Sequence, residues 1–185
     1  MPNSFQRPDF RADFARPELD PRAAYPAGTG MTSLRTAEAL MVVALRLWTA
    51  HRLEPDAGHP DWRDGFLAAD LCGVGVACFQ SFLGILETAA KRPVTLGRPR
   101  DRMLTDDEAR LLCVIRSLQS ERGHDATALL ADWLPPAAAR IALDYVCGLA
   151  TALCEARLVL PAREGASQPT LERRFIHRAD LSVVH

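Results

Sequence analysis

The stretch Leu71–Gly84, LCGVGVACFQSFLG, decides the fold. It holds a Gly-x-Gly, two thiols and two phenylalanines, and it carries no charge. Four readings compete for it: a dinucleotide loop, a thiol site, a membrane span, and a helix buried in a protein core. A dinucleotide fingerprint needs a small third residue after Gly73 and Gly75, yet that position is Cys78, and no βαβ pattern surrounds it. Cys72 and Cys78 lack the two-residue gap of a compact thiolate site. A span from Phe66 to Leu86 is long enough, but it contains Asp70, whose carboxylate is costly in lipid. The apolar residues 137–160 offer no second span, because Arg140, Asp144, Glu155 and Arg157 interrupt them.

The helical core reading fits best. At about 100° per residue, Leu67, Leu71, Val74, Cys78, Phe79, Phe82, Ile85 and Leu86 fall on one broad arc. Ala69, Gly73, Ala77, Ser81 and Gly84 fall on another. Helix-interior glycines cost about 1 kcal/mol each against alanine. Gly73, Gly75 and Gly84 therefore imply a compensating close approach, as at small-xxx-small seams. The small arc, with Ala69, Gly73 and Ala77 at its centre, is expected to meet another helix, within the chain or in a homodimer.

The neighbouring segments read the same way. SLRTAEALMVVALRLWTAHRLEP starts at a Ser33 N-cap and ends before Pro55, and residues 39–48 are apolar on nearly every side except Arg46. A second helix is expected from Trp62 or Phe66 to Ala90. TDDEARLLCVIRSLQSERG carries a capping box, Thr105 with Glu108, and places Asp106 and Asp107 where the helix dipole favours anions. Gly123 is its expected stop. DATALLADWL, residues 125–134, follows as a short helix. Pro135 and Pro136 then open a last helix running to about Arg157, with Ile141, Tyr145, Leu149 and Leu153 on one face. The expected architecture is all-α, a bundle of about five helices over residues 31–160.

The ends differ in character. Residues 1–30 are rich in Pro, Arg, Asp and Gly and read as a disordered arm. Within them, RPDF at 7–10 is followed at once by RADF at 11–14, which would stack Phe10 on Phe14 in a helical docking motif. Residues 161–185 read as a flexible tail or a small hairpin of RLVLP and ERRFIHR.

Charge and composition bound the function. Net charge is -1 on 185 residues, so nothing draws the chain in bulk to nucleic acid or an acidic membrane. Lys91 is the only lysine, a bias that GC-rich coding explains better than anion binding does. The first twenty residues show no apolar signal region, and five cysteines without a CxxC pair suit a reducing cytoplasm.

Candidate sites are few. Lys91, Arg92, Arg98, Arg100 and Arg102 crowd one loop before the Thr105 helix and could hold an anion, or pair with Asp106, Asp107 and Glu108. Glu121 and His124 have the Glu-x-x-His spacing of di-iron bundles, but the motif occurs once and Gly123 interrupts it, so no metal or cofactor is expected. The free cysteines are expected to be buried and inert. The helices around Gly123 are ordered like a helix-turn-helix, with Arg173 and Arg174 in a candidate wing, although DATALLADWL offers a groove two acids and no base. The sequence expectation is a non-catalytic regulatory or accessory protein that acts through contacts with an unknown protein partner and with itself. A winged-helix DNA binder and a ligand sensor or small enzyme with a pocket inside the bundle are the alternatives.

Overall fold

The computed structural model of the protein describes residues 20–71 and 73–163. Seven α-helices occur among the described residues, and there is no strand. They are α1 (Pro21–Ala24), α2 (Thr36–Leu53), α3 (Trp62–Ala68), α4 (Gly73–Ala89), α5 (Asp106–Gln119), α6 (Gly123–Trp133) and α7 (Pro136–Glu155), with 3-10 turns at Met31–Ser33 and Pro55–Ala57. The all-α class therefore holds, with two more helices than the expected five. One extra helix is α1, and the other comes from a break in the segment that opened the sequence analysis.

That break is at Asp70. The Leu71 amide bonds the Phe66 carbonyl at 2.9 Å, the Asp70 amide bonds the Leu67 carbonyl at 3.1 Å, and Asp70 is left-handed with φ 55°. This is a Schellman cap, which ends α3 and turns the chain before α4 begins. Aspartate is among the few non-glycine residues that tolerate this conformation. The same cap, again without glycine, closes α5 at Glu121 (φ 59°, Arg122 amide to Ser117 carbonyl 2.8 Å) and α7 at Arg157 (φ 60°, Leu158 amide to Leu153 carbonyl 2.7 Å). Gly123, expected to stop α5, instead starts α6.

α5 is the central rod, buried continuously from Leu111 to Ser117. Its capping box forms as the sequence predicts: the Glu108 amide donates to Thr105 Oγ1 at 3.2 Å, and the Thr105 amide donates to Glu108 Oε2 at 2.9 Å. α1, α2, α6 and α7 pack on it, while α3 folds against α2. The most extensive helix contact joins α4 to α7. There, a Cβ on Gly75 would lie 2.8 Å from Ala152 Cβ, and one on Gly148 would lie 2.7 Å from Cys78 Sγ. The close seam is thus real, but Gly75 and Gly148 build it.

A methyl group on Gly73 or Gly84 would meet nothing within 4 Å. Gly73 and Ala77 face solvent, and Ala69 is the half-buried C-cap of α3. The break at Asp70 puts Ala69 on a different helix from the other two, so the expected continuous small strip does not form. The same break leaves Leu67 64% and Val74 65% exposed, outside the core arc to which the unbroken period assigns them.

α7 buries Leu149 and Leu153 of its apolar row but not Ile141 and Tyr145. Ala139, Ala142, Val146, Leu149, Ala150, Ala152 and Leu153 are buried, while Ile141 is 54% exposed. Small alanines allow α4 and α5 to come close, and that contact sets the inner face. Cys147 and Cys154 consequently lie exposed on the outer face, against the expectation of buried thiols, whereas Cys113 is buried. α7 is the one described helix long and apolar enough to cross a membrane by length and composition; here it packs against α4, α5 and α6.

Helix α1 lies before the expected boundary at residue 31. Asp20 caps α1 through a 3.0 Å bond from the Arg22 amide, and Ala24 and Tyr25 are buried against the bundle. Residues 28–31 then run beside 102–104, joined by Met31 amide to Arg102 carbonyl (2.8 Å) and Leu104 amide to Thr29 carbonyl (2.9 Å). α2 starts at Thr36; Ser33 turns back to the Gly30 carbonyl instead of capping it. At the other end, residues 158–163 cross the bundle without forming a strand, held where Gln119 bonds both Leu158 and Leu160. Phe10, Phe14, Arg173, Arg174 and the ERRFIHR segment lie outside the described residues.

Candidate functional site

Three buried carboxylates organise the surface around the α4–α5 loop, Tyr25 and Arg163. Glu38 takes the Tyr25 hydroxyl (2.7 Å), the Arg35 amide (2.7 Å) and Arg163 through Nε and Nη2 (2.6 and 2.7 Å). Burial pushes the Glu38 carboxyl up, but the bonds from Arg163, the Arg35 amide and Tyr25 outweigh it and hold the group below its usual range. Asp107 takes Arg92 twice (2.6 and 3.1 Å), the Thr95 amide (2.7 Å) and Trp133 Nε1 (2.9 Å). Burial again opposes ionisation there, and the Arg92, Thr95 and Trp133 bonds again prevail. Glu108 takes Arg46 bidentately (2.7 and 2.8 Å), with the Gly97 and Thr105 amides.

These groups hold the fold together. Each carboxylate has its lone pairs occupied by donors, so none stands ready to accept a proton from a substrate. Arg46 has two further bonds, to the Asp101 and Met103 carbonyls at 2.6 and 2.7 Å. A Cβ on Gly97 would lie 2.8 Å from its guanidinium, so glycine is needed for the loop to cross there. From opposite sides, Arg46 and Arg92 thus fasten the loop that joins α4 to α5.

The sequence expected the acids at the start of α5 to pair with the loop arginines. Only Arg92 does so, with Asp107. Asp106 pairs with Arg22 of α1 and Glu108 with Arg46 of α2. Arg98, Arg100 and Arg102 are exposed, and no hydrogen bond or ion pair engages their guanidinium groups among the described residues. Glu121 and His124 are separated by the α5 cap, and among the described residues no group of three or more potential metal ligands occurs.

Two clefts flank the fastened loop. The first, about 540 Å³, lies between α2, the end of α4 and residues 90–96. Leu83 and Leu86 form its floor, Trp48 and Leu53 one wall, and Val94 and Leu96 the other. Leu53 is 76% exposed at the mouth. Arg52, Lys91 and Arg92 stand at the rim against Glu87; Arg52 pairs with Glu87 and lies 5.3 Å over the Trp48 ring. The second cleft, about 770 Å³, lies between α2, the α2–α3 loop and residues 98–101. Sequence reasoning singled out its arginines but neither cleft. The relevant signal was Leu53, an apolar residue at the end of a helix next to a loop, and no periodicity distinguishes it from core.

Comparison with protein-family models, with curated proteins and with solved structures finds no match to this chain.

Proposed function

We propose that the protein is a non-catalytic binding module that seats a short amphipathic segment of another polypeptide in the cleft between α2 and α4. The observation that carries this reading is the 76%-exposed Leu53 at a cleft walled by the half-buried Trp48, Val94 and Leu96 over the buried Leu83 and Leu86. Exposed apolar surface that is concave and rimmed by charge is characteristic of partner recognition. The walls are preformed. The Lys91 amide is tied to the Trp133 carbonyl at 2.8 Å, and Arg92 is clamped by Asp107 and Asp132, so little ordering entropy opposes docking. At the rim Arg52 pairs with Glu87 and Arg92 with Asp107 and Asp132, while Lys91 has no ion pair among the described residues, which favours a segment whose apolar anchors are flanked by an Asp or Glu.

Site-specific photo-crosslinking tests the reading. A benzophenone side chain is placed at Leu53 and, as a control on the far tail, at Val159, which is 60% exposed. In extracts of the native host, one polypeptide should crosslink to position 53 and not to 159, and Val94→Glu, at a half-buried wall of the cleft, should abolish the adduct without changing helix content. Equal labelling at both positions, or an adduct that survives Val94→Glu, would overturn the assignment.

A further inference from the structure

We infer that the second cleft, on the other flank of the α4–α5 loop, is a site for a small amphipathic oxyanion: a short aliphatic body with a carboxylate or phosphate head. The inference is independent of the polypeptide cleft and concerns different residues.

The apolar half of the site is supplied by α2. Val43 is 43% exposed there, beside Leu47, with Ala57 and Pro60 from the α2–α3 loop and Pro99 opposite. An exposed β-branched residue on the otherwise buried stretch of α2 is surface that water covers unless a ligand does. At about 770 Å³ the cleft falls in the size range of small-molecule sites, about 300–1,000 Å³.

The polar half is supplied by Arg98 and Arg100. They stand on a tight turn in which the Arg98 amide donates to Asp101 Oδ2 at 2.7 Å and the Asp101 amide donates to the Arg98 carbonyl at 3.0 Å. Asp101 thereby spends a carboxylate oxygen on the turn's own backbone. Its carbonyl is held from beneath by the buried Arg46. The turn is fixed, while neither of its guanidinium groups has a hydrogen-bonding side-chain partner among the described residues. Guanidinium groups in pairs match the geometry of carboxylate and phosphate.

The other polar groups of the lining have partners. His59 Nε2 lies within ion-pair distance of the Glu54 carboxylate, at 3.5 Å. Gly58, left-handed at φ 64°, turns the chain there, and His59 lines the same cleft. With Glu54 beside His59 and Asp101 bonded to its own turn, the two arginines are the groups left to receive an anionic head, while its chain covers Val43 and Leu47.

Calorimetric titration of the full chain with four probes tests this: octanoate, octyl phosphate, octanol and inorganic phosphate. The expected result is that octanoate or octyl phosphate binds at least tenfold more tightly than both octanol and inorganic phosphate, and the tighter of the two identifies the head. Arg98→Gln/Arg100→Gln should weaken that probe at least tenfold at unchanged Tm, and Val43→Asp should do the same through the chain half of the ligand. Leu53→Asp, in the other cleft, should leave it unchanged. Failure of both octyl anions to bind, octanol binding as well as they do, or full affinity in the double arginine variant would each overturn the inference.

Discussion

Arg46 of α2 and Glu108 of α5 meet inside the molecule through two parallel hydrogen bonds of 2.7 and 2.8 Å, with both side chains closed to solvent. Removing one partner leaves the other charged and buried, which costs about 3–5 kcal/mol. Arg46→Met and Glu108→Leu should each lower unfolding free energy by that order in urea titrations. The double variant should lose less than the sum of the two, because no lone charge remains. It should still fall short of the wild type, since the Asp101 and Met103 carbonyls and the Gly97 and Thr105 amides lose their partners. Strict additivity would show that the pair is not coupled.

Acid should unfold the protein through Glu38 and Asp107. Both carboxyls are held below their ordinary values, 4.5 and 3.8, by the donors around them. The folded state therefore binds fewer protons than the unfolded state in this range, and stability rises with pH. Their contribution is complete above about pH 4.5 and disappears as pH falls through the lowered folded values. The urea midpoint should hold steady from about pH 7 to 5 and drop below that. In Glu38→Gln/Asp107→Asn it should start lower and decline less steeply. A parallel decline in both proteins would remove these two groups from the account.

Glycines at two depths of α4 should respond in opposite directions. At Gly75 a methyl would press on Ala152 Cβ at 2.8 Å, and neither helix has a flexible side-chain end there to give way. Gly75→Ala should cost about 1–3 kcal/mol. At Gly84 a methyl meets nothing within 4 Å, so helix propensity alone decides, and Gly84→Ala should gain up to about 1 kcal/mol. Thermal unfolding of the two variants measures both signs. A stabilising Gly75→Ala would disprove the close α4–α7 seam.

The fold was legible wherever local chemistry acts alone. Thr105 and Glu108 announce α5 because a capping box is complete within a single turn, and the prolines at 135 and 136 announce α7 because a first turn needs no donor from them. Asp70 hid the break between α3 and α4. Its left-handed cap depends on Leu71 burying itself beside Phe66, a tertiary gain that no glycine signals. The inner face of α7 was hidden in part likewise, since alanine faces look weak by hydrophobicity yet win by letting backbones approach. Of the candidate sites, Arg98 and Arg100 were visible as a charge cluster, but what leaves them unpaired was not. The acids at the start of α5 are taken by Arg22, Arg46 and Arg92, two of which lie far away in sequence.

The thiols provide a test of α7's orientation that needs no mutation. Cys147 and Cys154 are exposed on its outer face, whereas Cys113 sits in the core of α5, where burial pushes its thiol up to about 12. The thiolate is the reactive form, so Cys113 is blocked twice, by access and by protonation. Iodoacetamide at about pH 8, near the ordinary thiol range, followed by peptide mass mapping should label Cys147 and Cys154 in native protein within minutes and leave Cys113 untouched until denaturant is added. Positions 147 and 154 are seven residues apart in α7, about two turns, so both thiols report on one surface. If Cys147 and Cys154 were protected in the native protein, the outer face of α7 would be turned toward the bundle. The alanine face that packs on α4 would then be exposed instead.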